Sequence, residues 1–141
     1  MNSRGVTLIE LLVVLAILGV ALALVSPSLF RSMDRFALDS TGRQLVNTFR
    51  TARYEARLGQ RELLGTLSRG EFVLTRGDEP VKSLQLPHSI EVQSSGKDAA
   101  YAFLASGQIL GPERLKLVAG ARSGVLILGP PPGTVRFEID R

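Results

Sequence analysis

Glu10 is the residue with the clearest chemical consequence. It is a carboxylate inside the apolar run "RGVTLIELLVVLAILGVALALVSP" at 4–27. A charge at the centre of a membrane helix costs roughly 2.5–3.5 kcal/mol on insertion scales. A buried glutamate is equally unfavourable in a protein core unless it has a partner. Glu10 is therefore either tolerated by accident or paired with a cation. A second candidate set is arginine. Arg31, Arg35, Arg43, Arg50, Arg53, Arg57 and Arg61 stand against only Asp34, Asp39 and Glu55. Guanidinium groups at that density suit lipid headgroups (Arg31 and Arg35), acidic neighbours or phosphates. Arg43, Arg50, Arg53 and Arg57 form the candidate anionic-contact stripe, beside the ordinary alternative of a solvated helix face. No aromatic residue interleaves the stripe, and Tyr54 only borders it, so base stacking has little support.

Signals for catalysis are weak. His88, the only histidine, follows Pro87 in an expected turn and has no acid or Cys partner nearby in sequence. Asp78-Glu79 sits between Gly77 and Pro80, where solvated charge is the default. No serine lies in a Gly-x-Ser-x-Gly elbow, and there is no phosphate loop or dinucleotide fingerprint. With no cysteine in the chain there is no disulfide framework or thiolate nucleophile. The expectation is a non-enzymatic protein with no cofactor, no catalytic residues and no metal site.

The elements that must position these groups follow from periodicity. Residues 6–26, read as one helix rising about 1.5 Å per residue, reach roughly 30 Å, enough to span a bilayer. From 28 to 61 the pattern is amphipathic: Phe30, Met33, Ala37, Leu38, Leu45, Phe49, Ala52 and Ala56 share one face. Pro27 removes a backbone hydrogen bond at the junction and is the expected kink; Gly42 is a place where the phase can shift. Beyond it, short apolar runs at 71–75, 81–86, 90–93, 101–104, 115–118, 125–128 and 135–139 alternate with Gly- and Pro-rich turns. This predicts an α+β fold, a long kinked N-terminal helix packed on an antiparallel β-sheet or sandwich domain. The segment 31–61 carries the whole net charge of +4, because nine basic and nine acidic side chains cancel from Glu62 onward. The helix is basic; the β domain is neutral.

The N-terminus could be a secretory signal peptide, with "ALA" at 21–23 as a cleavage site. Against that, Glu10 interrupts the apolar region and the amphipathic helix follows almost without a break. The same residues resemble the N-terminal signature of type IV pilins and the pseudopilins of type II secretion. In that family a short basic leader ends in Gly, prepilin peptidase cuts after it, and the new N-terminus is methylated. The resemblance places cleavage between Gly5 and Val6, methylation on the Val6 amine, an assembly role on Glu10 and a helix kink at Pro27. The chain departs from the family in having Val6 where Phe is usual. Further along, "NTFRTARYEARLGQ" at 47–60, "FLASGQI" at 103–109 and "GTVRFEID" at 133–140 resemble the GspH/FimT group of minor pseudopilins and pilins.

The resemblance implies a leader at 1–5, a transmembrane half-helix at 6–27, an amphipathic half at 28–61 and a β domain at 62–141. It implies a single-pass protein of the bacterial inner membrane with its C-terminal domain in the periplasm. The partners implied are prepilin peptidase and other pseudopilins, major and minor, in a filament. Its function would be that of a minor pseudopilin at or near the tip of a type II secretion pseudopilus; the alternative is a FimT-like minor pilin with DNA contact. The neutral β domain argues against DNA. Charge gives a conflicting topology. Arg4 flanks one end of the anchor and Arg31, Arg35 and Arg43 the other, so the positive-inside rule alone would put the C-terminal domain in the cytoplasm.

Overall fold

Thr7 opens the long helix. Its hydroxyl accepts a hydrogen bond from the Glu10 N–H at 3.3 Å, which gives Thr7-Leu8-Ile9-Glu10 the spacing of a capping box. The structure is a computed structural model describing residues 7–94 and 98–140, apart from the side chains of 24–31. From the cap, α1 (Leu8–Gly59) runs for 52 residues without interruption. It stops because Gln60 turns into the left-handed region at φ 49°. The Arg61 N–H then reaches back to the Ala56 carbonyl at 3.1 Å and the Gln60 N–H to that of Arg57 at 3.4 Å. That is a Schellman closure with glutamine in the usual glycine position.

Among the described residues, nine strands follow: β1 (Leu63–Ser68), β2 (Glu71–Arg76), β3 (Glu79–Gln85), β4 (Glu91–Gln93), β5 (Ala99–Phe103), β6 (Ile109–Leu110), β7 (Arg114–Ala119), β8 (Arg122–Gly129) and β9 (Thr134–Ile139). They form a five-stranded sheet ordered β3-β2-β1-β5-β6 and a four-stranded sheet ordered β4-β7-β8-β9. All the pairings are antiparallel. Two-residue turns set the registers. Arg69 and Gly70 both have positive φ, as a primed hairpin turn requires, and hold Ser68 opposite Glu71. The α+β architecture expected from sequence is present. Strands β1 and β6 were not anticipated.

The chain divides into two compact units, Met1–Met33 and Asp34–Arg141. In the second, Leu38, Leu45, Phe49, Ala52 and Ala56 of α1 are buried in one cluster with residues of both sheets. Phe49 is its centre. Its ring stands edge-on to Tyr101 at 4.8 Å and to Phe103 at 5.3 Å, and tilted to Phe72 at 5.3 Å. Offset and edge-on pairs of this kind add to the hydrophobic gain of burial. Met33, grouped with this face in sequence, is 65% exposed and belongs to the first unit; the Phe30 side chain lies outside the described residues.

Candidate functional site

In the first unit, every large apolar side chain from Leu8 to Leu22 that is described as exposed lies between 51% and 80% accessible. Glu10 is exposed among them, in the first turn of α1. A carboxylate there is favoured by the unpaired N–H groups and positive end of the helix. The cap thus supplies a local reason for Glu10 besides pairing with a cation. Gly5 and Val6 lie outside the described residues, as does the side chain of Pro27, although α1 continues through that position. Among the described residues, no helix is long and apolar enough to cross a membrane.

The arginine stripe separates into two sets. Arg53 turns toward the protein: its Nε donates to the Gly107 carbonyl at 2.7 Å. Gly107, at φ +86°, gives the β5–β6 loop the sharp turn that brings this carbonyl to the helix. Gly133 of the β8–β9 loop packs directly on the same guanidinium, where a Cβ would not fit. Arg53 therefore ties a loop of each sheet to α1. The Arg57 stem lies against Gly107. The other set faces outward. Arg43 pairs with Asp39 through Nε at 2.9 Å, an i,i+4 contact with side chains 76% and 41% exposed. Such a pair contributes only about 0.3–0.5 kcal/mol.

Arg50 lies near Arg43 at a hollow of about 390 Å³ that is also lined by Arg136. Sequence reasoning missed Arg136. Alternation along "VRFEI" puts it outward, but nothing in the local pattern brings it beside the helix. His88 lines a separate, wider groove of about 870 Å³ that Glu71, Glu91 and Asp98 also border. Among the described residues, no three His, Cys, Asp or Glu side chains gather as they would to hold a metal ion. Asp78 and Glu79 are exposed at the β2–β3 turn.

The described residues thus give a capped helix with an exposed apolar start and a two-sheet antiparallel unit whose core includes residues of that helix. Comparison with known proteins bears on both parts. Residues 1–26 match the Prokaryotic N-terminal methylation motif. Over 56 residues the chain is 52% identical to the Pilin-like protein PilA1 of Thermus thermophilus; the match covers 40% of this chain and 35% of that protein. The chain thus spans little more than a third of the curated relative it matches. Among solved structures, the minor pseudopilin EpsH from the Type 2 Secretion System of Vibrio cholerae shares the fold. The TM-score is 0.53, over 72% of this chain and 96% of that one, at 10% sequence identity. The chain thus carries an N-terminal methylation motif at 1–26 and shares its fold with EpsH.

Proposed function

We propose that the chain is a minor pseudopilin, a structural subunit at or near the tip of the periplasmic pseudopilus of a type II secretion system. The observation that carries this is the combination of an N-terminal methylation motif with a two-sheet fold shared with EpsH. In this reading prepilin peptidase cuts between Gly5 and Val6, the Val6 amine is methylated, and residues 6–27 anchor the protein in the inner membrane. Pro27 bends the helix where it leaves the bilayer. The amphipathic half at 28–61 and the β domain at 62–141 stand in the periplasm and meet other pseudopilins. The work is assembly and contact, with energy supplied by other components. A second reading, a FimT-like minor pilin of a type IV pilus, draws support from the likeness to PilA1.

The test begins with the intact mass of the protein isolated from membranes. It should equal the chain from Val6 onward, with or without one methyl group. A chain beginning at Leu24 would instead mark a conventional signal peptide and end the pilin reading. Crosslinking in the native host then separates the two systems. Adducts with type II pseudopilins that persist when pilus genes are deleted support the first reading, and the converse pattern supports the second.

A further inference from the structure

Three guanidinium groups line the hollow between α1 and β9: Arg43 and Arg50 from the helix and Arg136 from the strand. Two of them already meet carboxylates. Arg43 bonds Asp39, and the Arg136 Nε reaches Glu138 Oε1 at 3.0 Å with both side chains more than half exposed. Arg50 has no ion pair or side-chain hydrogen bond among the described residues. Val46, which is buried, and Phe137, which is partly so, line the same hollow. Beside an apolar surface an opposite charge is attracted more strongly than in open water.

The strand side of the hollow carries a second, independent feature. Among the described residues, β9 is the edge of its sheet and pairs with β8 alone. An edge strand presents unpaired backbone donors and acceptors, the ordinary template for adding another strand. An unneutralised guanidinium and a free strand edge at one hollow call for a ligand with both carboxylates and an extended backbone. We propose that this hollow docks an extended acidic segment of a partner protein, which lies along β9 and presents its carboxylates to Arg50, Arg43 and Arg136. A nucleic acid fits less well. It has no peptide backbone to pair with the β9 edge, and Arg53, which would extend a basic track along the helix, is bonded to Gly107 instead. The site lies wholly within the Asp34–Arg141 unit and requires no filament.

The experiment uses the full chain in detergent micelles and fluorescence anisotropy. The probe is a short synthetic peptide of alternating threonine and glutamate. Comparison ligands are the same peptide with glutamine for glutamate, and a single-stranded oligonucleotide of equal charge. The acidic peptide should bind and the neutral one should not. Arg50→Gln should weaken binding about tenfold, as expected for loss of a charge-assisted contact. Arg50→Lys should fall between, because it keeps the charge and loses the planar fork. Arg122→Gln, at an exposed arginine of β8 that does not line the hollow, should leave binding unchanged. Arg50 is exposed, so both of its variants should melt with the parent. Equal binding of the neutral peptide, or binding indifferent to Arg50→Gln, overturns the proposal. So does Arg50-dependent capture of the oligonucleotide in place of the peptide.

Discussion

Tyr101 carries its phenol into the core without a hydrogen-bond partner: the hydroxyl is buried and unbonded among the described residues. Burial pushes its pKa up to about 12 from an ordinary 10, because the charged form cannot be solvated there. The direction of the stability effect follows. Folded Tyr101 stays neutral while the unfolded chain begins to ionise near pH 10, so its contribution is intact below that pH. It is lost progressively as pH rises to about 12, by roughly 2–3 kcal/mol in all. Tyr101→Phe removes both the unpaired hydroxyl and the titration. The variant should be as stable as the parent near neutrality, or more stable by about 1–2 kcal/mol. It should also lose less stability between pH 9 and pH 11. Urea unfolding of both proteins across that range checks this; parallel losses would mean that the phenol finds a partner in solution. At this scale the sequence said little. "YAFL" marks Tyr101 as a strand residue, but the ring packed edge-on against it is Phe49 of the helix, which no local pattern reveals.

Between elements, one ring packs α1 against the four-stranded sheet. Phe137 of β9 packs on Gly42 of the helix and on Gly124 of β8, and a Cβ at either glycine would collide with it. Gly42 is buried in mid-helix, where alanine would ordinarily be favoured by about 1 kcal/mol. The ring reverses that preference. Gly42→Ala should destabilise by about 1–2 kcal/mol net, since overpacking costs about 1–3 kcal/mol. In a Phe137→Ala background the same change should become neutral or stabilising, and a double-mutant cycle by thermal unfolding measures the coupling. Additive effects would place the ring elsewhere. Gly42 was legible in sequence as a break in helical phase, but its physical reason lies some hundred residues away at Phe137. The helix face of Leu45, Phe49 and Ala52 and seven of the strands could be read because periods of 3.6 and 2 survive in them. β1 could not. Gly65 takes an inward position under Phe72 and Phe103, so the rings that fill the core there come from neighbouring strands and "LLGTLS" loses its pattern. The arginine stripe fails similarly. Seven arginines read onto one helix look like a single surface, yet Arg61 lies past the end of α1 and the β5–β6 and β8–β9 loops claim Arg53 for structure.

At the scale of the whole molecule, the apolar start of α1 is uncovered, and side chains such as Leu8, Ile9 and Ile17 stand largely accessible. Apolar surface of that extent in water marks a contact with lipid or with other helices. Glu10 is where the two differ. Its backbone completes the Thr7 cap, and a cap alone would explain the residue without any neighbour. A filament role would instead use the charge, pairing Glu10 with the Val6 amine of an adjacent subunit. Two substitutions separate these accounts. Glu10→Gln keeps a side chain suited to the third position of a capping box but removes the charge; Glu10→Leu removes both while making the start of α1 more hydrophobic, so any membrane insertion should not suffer. If the cap is the whole reason, Glu10→Gln should assemble like the parent. If the charge is needed, both variants should reach the membrane and be processed normally, yet crosslink poorly to other filament subunits. Leaving the Val6 amine without its partner in low dielectric would cost roughly 3–5 kcal/mol. The melting of the β domain should be unchanged in both, since Glu10 lies in the other unit. Crosslinking at matched membrane levels reads the result, and we expect Glu10→Gln to fail with Glu10→Leu. Full assembly of both would leave Glu10 as a tolerated cap residue with no part in joining subunits.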